Sequence, residues 1–396
     1  MAEDKKSRLL EILATSTKLG LTSFGGPVAH LAYFKDEYVD RRKWLDDRTY
    51  AEIIALCQFL PGPASSQVGI SIGMLRGGLL GGLLSWLGFT LPSVLVLILF
   101  ALLYQTFNLE GAQFIQSLKV VAVAVVLHAL IGMGRKLTPD RPRITMAIIA
   151  AAVMLLYPSA WVQIIIIIAG GTVGYLMFRQ RAESNITAFR IGISKKTGIG
   201  ALSILAILLI LLPMMNRMVD HALLNIFDIF FRVGALVFGG GHVVLPMIER
   251  EVVPTGLMEA NEFLAGYGMA QAVPGPLFTF ASYLGTVMSG IPGGIVATMA
   301  IFLPSFLLVI GALPFLDALR KYDAFQGILM GVNAVVVGIL LAAFYDPVFT
   351  SSIFEPVDFV LALVLFFLLS VWKIPAWMVV IIGIAGGYIL HLPSFL

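Results

Sequence analysis

The chain has 396 residues, 59% of them hydrophobic and 12% charged, where an ordinary soluble domain carries about 25% charged residues. With a mean hydropathy of +0.95, this excludes a soluble fold and predicts a polytopic α-helical membrane protein; the alternating pattern of a transmembrane β-barrel is absent. The net charge of +3 says little as a total, and the single Cys57 excludes a disulfide framework or a cysteine-based metal centre. Met1 to Lys6 lack the apolar stretch of a cleaved leader and are expected to stay in the mature protein.

Taken in chain order, the first apolar segment, Leu9–Phe34, is broken by Gly25-Gly26-Pro27, and the second, Thr49–Leu75, by Pro61-Gly62-Pro63. Proline lacks a backbone donor and restricts the residue before it, so both helices must stop there. Both read as hairpins that leave and return on one side of the bilayer, because broken backbone at membrane depth needs protein or a water-filled cavity around it. Four spans follow: Leu79–Phe107, Gln113–Met133, Ile144–Tyr157 and Ala160–Phe178. The first is long enough to tilt or to kink at Pro92. A basic linker and a further apolar span, Ile199–Met215, come next.

The remainder repeats the beginning. Lys18-Leu-Gly-Leu-Thr-Ser-Phe-Gly-Gly26 aligns with Arg232-Val-Gly-Ala-Leu-Val-Phe-Gly-Gly240, Gln58-Phe-Leu-Pro-Gly-Pro63 with Gln271-Ala-Val-Pro-Gly-Pro276, and Gly77–Ser93 with Ser289–Ser305. Ile168-Ala-Gly-Gly171 returns as Ile384-Ala-Gly-Gly387, whereas Ile199–Met215 has no counterpart. Loop charge then fixes orientation. Lys35–Arg48, Arg135–Arg143 and Arg179–Lys196 are rich in Lys and Arg and read as cytoplasmic, while Glu249–Glu262 holds only Arg250 and Asp346–Asp358 no basic residue. The halves are therefore expected to be inverted, with the unpaired span turning the second over. The predicted fold is an all-α polytopic membrane protein with two inverted-topology repeats of broken or re-entrant helices. Its parts are residues 1–180, a linker and inverting helix over 181–220, and residues 221–396. The N-terminus is predicted cytoplasmic and the C-terminus periplasmic.

Inverted repeats with interrupted helices place a transport site between the repeats. The tips at Pro61, Gly62, Pro63 and at Pro274, Gly275, Pro276 offer half-helix N-termini, whose free N–H groups favour an anion. Donors expected just beyond them are Ser65, Ser66 and Thr279, with Gln58 and Gln271 lining the approach. Gly25, Gly26, Gly239 and Gly240 permit close backbone approach, and His30 and His242 stand beside them. Lys18 and Arg232, equivalent under the repeat, are expected to neutralise a dianion at one centre; Asp228, four residues before Arg232, offers it a structural partner instead. Lys119 reads as a snorkelling or packing residue. Glu52, Glu262 and Asp228 are candidates for proton coupling. No phosphate loop, His-Glu-x-x-His or Gly-x-Ser-x-Gly motif is present, which argues against ATP-driven transport and against an enzyme. No metal or cofactor is expected.

Phe24-Gly-Gly-Pro27 with His30, Gln58–Pro63, Phe238-Gly-Gly-Gly241 and Gln271–Pro276 together resemble the chromate transporter family in its long, two-domain form. The resemblance covers essentially the whole chain. It implies an inner-membrane carrier that expels chromate from the cytoplasm with the proton motive force and so confers chromate resistance, with sulfate as the mimic. The implied partners are a tetrahedral oxyanion, protons and the lipid bilayer, a homodimer is compatible with the sequence, and no nucleic acid is involved. A carrier of another anion such as sulfate and a channel-like anion pore stay open as alternatives. Gly241-His242 stands where Pro27 follows Gly26, so the two breaks differ chemically.

Overall fold

A computed structural model describes residues 2–24, 26–107, 113–178, 194–237, 244–315 and 323–390, and among these every regular element is helical. The first repeat comprises α1 (Ala2–Thr22), α2 (Gly26–Phe34, extended by a π-helical turn, Lys35–Arg41), α3 (Asp47–Phe59), α4 (Ala64–Thr106), α5 (Gln113–Leu137), α6 (Arg141–Leu156) and α7 (Ala160–Phe178). After the unpaired α8 (Lys195–Met218) come α9 (Ala222–Leu236), α10 (Val244–Val252), α11 (Ala260–Ala272), α12 (Phe280–Ala312, led by a 3₁₀ turn, Leu277–Thr279), α13 (Asp323–Ala343), α14 (Pro356–Ser370) and α15 (Ala376–Leu390). Element for element, α9–α15 restate α1–α7. Among the described residues five stretches are long and apolar enough to cross a bilayer: Ala64–Thr106, Gln113–Leu137, Lys195–Met218, Leu277–Phe315 and Met330–Phe349.

Side-chain caps set several starts. Asp46 accepts from Thr49 N at 2.7 Å to open α3, Asp140 accepts from Arg143 N at 3.1 Å to open α6, and Ser194 accepts from Thr197 N at 3.1 Å to open α8, each satisfying an amide the helix leaves free.

The breaks are chain reversals. Ser16 Oγ lies 3.2 Å from Tyr38 Oη across the first break, and Cys57 Sγ 3.8 Å from Ser71 Oγ across the second. In α4 the reversal is at Gly78 (φ 67°, ψ −162°). There Ser85 Oγ donates to Gly69 O at 2.8 Å, although a straight helix would hold these residues about 24 Å apart. In the second repeat Gly290 turns the chain with φ 65° and ψ −164°, packing Gly285 against Gly293. The 43-residue α4 is thus two antiparallel legs, 64–77 and 79–106. Pro92 lies inside the second leg with helical dihedrals, so the sharp change of direction is at Gly78.

The repeats are interlocked. α5 leaves its own repeat to pack on α11, α14 and α15, while α13 packs on α6 and α7. Lys119 Nζ donates to Asn261 Oδ1 at 3.0 Å and Gln116 Nε2 to Ser352 O at 2.8 Å; Gly387 packs on Ser117, and in exchange Gly170 packs on Gly331 and Gly338 on Ala147. Lys119 is buried and lies over the Phe354 ring, the packing role expected for it. Trp86 meets Phe302 and Phe306 edge-on at 5.7 Å each, joining α4 to α12. The inverting helix α8 packs on α12 and α9 and turns Ile204, Ile207, Ile210 and Met214 outward. In a membrane protein that face meets lipid.

One loop assignment changes. Glu249 and Arg250, read from charge as part of a periplasmic loop, belong to α10 and are 3% and 8% exposed. Loop charge ranks segments by sign and cannot detect a short helix tucked under its neighbours.

Candidate functional site

The two Pro-Gly-Pro tips meet the described residues that precede the Phe-Gly-Gly motifs at one centre, and they meet reciprocally. Gly62 N, in the Pro-Gly-Pro tip of the first repeat, donates to Val237 O of the second at 2.7 Å; Gly275 N, in the equivalent tip, donates to Ser23 O of the first at 2.9 Å. Val237 and Ser23 each stand immediately before a Phe-Gly-Gly motif. A second pair of contacts has the same symmetry: a Cβ added to Gly62 would lie 2.8 Å from Ser305 Oγ, and one added to Gly275 2.9 Å from Ser93 Oγ. Reciprocity of this kind is the signature of a two-fold axis, here relating the halves of one chain. Both glycines have left-handed dihedrals, φ 110° and 100°. Conformation and crowding together explain why only glycine fits there.

Around these tips, polar atoms are buried without partners in the described structure: the hydroxyls of Ser23, Ser66, Thr90 and Ser305, Nε2 of His30 and of Gln271, and Oε1 of Gln67. His30 Nδ1 lies 3.2 Å from Ser65 Oγ, and Gln67 Nε2 donates to Pro61 O at 2.6 Å. Thr279 Oγ1 donates to Pro276 O at 2.7 Å, within the second tip. Buried hydroxyls and amides without partners are rare in native proteins and call for a reason. Four hydroxyls and one amide that can donate form a set suited to an oxyanion.

A cavity of about 390 Å³ reaches this centre from one side, lined by Gly26, His128, Gln271, Gly275, Ser370 and Lys373 among others. Three of these, Gly26, Gln271 and Gly275, were expected from the sequence; His128, Ser370 and Lys373 were not. Phe24 packs on Trp377 with ring centroids 5.5 Å apart, tying the first break to the start of α15. Ser23, Thr90, Gln67 and Ser305 were also missed, because an isolated Ser or Thr in an apolar segment has no distinguishing spacing.

Lys18 and Arg232 do not form the shared cationic centre expected of them. Lys18 Nζ is 2.7 Å from Glu37 Oε2, and Arg232 forks onto Glu251 at 2.7 and 3.0 Å while also binding Asp228 at 3.1 and 3.3 Å. Glu37 and Glu251 are themselves repeat equivalents, so the chain carries two matching clasps. Each joins the legs of a hairpin some eight residues before its break, about 12 Å along the helix. Because the tips point at each other, the clasps lie at the far ends, and the two-fold relation separates the cations. Asp228 is thereby Arg232's partner rather than a free proton carrier. Glu262 Oε2 accepts from Glu259 N at 3.3 Å in a capping box at the start of α11, a structural use for that carboxylate. Gly25, Gly239, Gly240 and His242 lie outside the described residues, as do the side chains of Glu52 and Gln58 on α3.

Comparison with known proteins places this architecture. The chain is 26% identical over 384 residues to an uncharacterised transporter of Methanocaldococcus jannaschii, covering 96% of this chain and 94% of that protein. It is 28% identical over 349 residues to a chromate transport protein of Pseudomonas aeruginosa, covering 85% and 80%, and 26% identical over 345 residues to one of Cupriavidus metallidurans, covering 85% and 81%. No solved structure matches. The family model described as Chromate transporter matches twice, over residues 10–175 and 224–388. With one match on each repeat, the chain belongs to the chromate transporter family.

Proposed function

We propose that this protein is a secondary active transporter that exports chromate from the cytoplasm across the inner membrane, driven by the proton motive force. The observation that carries the reading is the reciprocal docking of the two Pro-Gly-Pro tips amid buried hydroxyls without partners. Family membership and the names of the Pseudomonas and Cupriavidus relatives point to chromate as the ion. A tetrahedral dianion at the tips would accept from Ser23, Ser66, Thr90 and Ser305, and Gly62 N and Gly275 N would supply further donors once the inter-repeat hydrogen bonds open. Rocking of one repeat against the other breaks and remakes those bonds, exposing the site to each side in turn. The loop charges support a cytoplasmic N-terminus and a periplasmic C-terminus, which turns the cavity, at the α14–α15 loop, toward the cytoplasm.

For proton coupling the reading rests on Glu249, a buried carboxylate with Arg250 Nε 3.4 Å from its Oε2. A buried ionisable residue inside a membrane bundle is a functional-site candidate. The test is chromate uptake into inverted membrane vesicles, with and without a protonophore, beside Ser66→Ala/Ser305→Ala. Saturable uptake that collapses with the gradient and falls at least tenfold in the double variant is expected. Absence of chromate flux, or flux indifferent to the gradient, overturns the reading, and conductance beyond carrier turnover would mark a pore.

A further inference from the structure

Positive charge favours capture of a dianion, and the two cations equivalent under the repeat are committed to carboxylates of their own hairpins. The cavity wall supplies the alternative. Lys373, in the loop between α14 and α15, lines the cavity together with His128, Ser370 and Gln271 and has no carboxylate partner among the described residues. His128 Nδ1 lies 2.9 Å from Ser370 Oγ, which orients the imidazole between α5 and α14, and Gln271 Nε2 has no partner. Lys373 also occupies a left-handed backbone position, φ 54°, that glycine would take at lower cost. A lysine at a glycine-favouring position on a cavity wall is an outlier that points toward a functional role.

We infer that Lys373, with His128, Ser370 and Gln271, forms an anion-binding station at the mouth of the cavity, which captures a tetrahedral divalent oxyanion and passes it to the tips. The inference rests on the transport reading for its direction, yet the station is a binding site that can be tested by itself. On the orientation that the loop charges support, the station faces the cytoplasm, the side that loads substrate. A single exposed ammonium beside neutral donors suits capture and release, since a more enclosed cation would hold the dianion too tightly to pass it on.

Two experiments decide it. In inverted vesicles, Lys373→Gln and Lys373→Gly raise the apparent KM for chromate at least tenfold with maximal rate retained, and Lys373→Arg stays within about threefold of wild type. Lys373→Gly also relaxes the backbone, so its Tm is no lower than that of wild type, which separates loss of binding from loss of fold. Lys373→Cys supplies the second readout, because the only native thiol, Cys57, is buried. Sulfate, used in place of the thiol-oxidising chromate, slows labelling of the introduced thiol by a methanethiosulfonate reagent at least threefold, and a cationic reagent restores the KM where an anionic one does not. A KM unchanged in Lys373→Gln and Lys373→Gly, or labelling indifferent to sulfate, overturns the station while leaving transport intact. If wild-type vesicles carry no chromate, the transport reading fails alone, and sulfate protection still decides the station.

Discussion

The sharpest constraints act on single residues at the tips. Gly62 and Gly275 combine a left-handed φ with a serine hydroxyl where a Cβ would sit. Gly62→Ala and Gly275→Ala are each expected to lower stability by about 1–3 kcal/mol, read as a fall in Tm in detergent, with transport lost in whatever protein remains folded. Ser93→Gly in the Gly275→Ala background should recover part of the loss by removing the clash. Glu249 invites a different measurement. Glu249→Gln is expected to abolish gradient-driven accumulation of chromate while chromate–chromate exchange persists, and equal loss of both would assign Glu249 a structural role. Glu37 responds to pH. Burial pushes its carboxyl up, but hydrogen bonds from Lys18 and Arg42 outweigh this and hold it below the usual carboxylate value. A carboxylate depressed in the folded state stabilises it above the unfolded pKa and loses that contribution as pH falls through the folded one. The Tm gap between wild type and Glu37→Gln should therefore be full near pH 7 and close progressively below about pH 4.

At the scale of elements, the two clasps differ in strength for a physical reason. Arg232 is largely enclosed with Asp228, 3% exposed at the side chain, and Glu251, whereas the Lys18 side chain is 46% exposed. Removing one member of a buried pair leaves its partners desolvated, so Arg232→Ala is expected to cost about 3–5 kcal/mol. Lys18→Ala should cost under about 1 kcal/mol, since Arg41 and Arg42 still hold Glu37. Calorimetric unfolding of both variants checks the order. The breaks and the unpaired helix were legible because proline, glycine and apolar runs act locally. The clasps were not. Glu37 lies among several acids of one loop that look equally solvated, and only the hairpin geometry brings it to Lys18. Gly26, Gln271 and Gly275, which line the cavity, stood out in the sequence because they share motifs, whereas Lys373 is a single basic residue in a short loop, indistinguishable in sequence from a topology marker.

For the whole molecule, the exchange of α5 and α13 decides what can fold alone. Residues 1–190 expressed separately lack the helices that cover α5, and residues 191–396 lack those that cover α13. Neither half is expected to yield stable protein, while co-expression of the two with different tags should recover a complex that co-purifies; a stable isolated half would contradict the interlock. The same exchange sets a timetable for biosynthesis. When α5 enters the membrane, about 240 residues must still be made before α15 begins, roughly 10–50 s at about 5–20 residues per second. Through that interval Lys119 and the small-residue faces of α5 wait in lipid without their native neighbours. A helix made late in synthesis, α15, completes a site that the fifth began. A chain stopped short of α15 therefore presents the quality-control machinery with an exposed polar helix in the first half of the protein, far from the point of truncation.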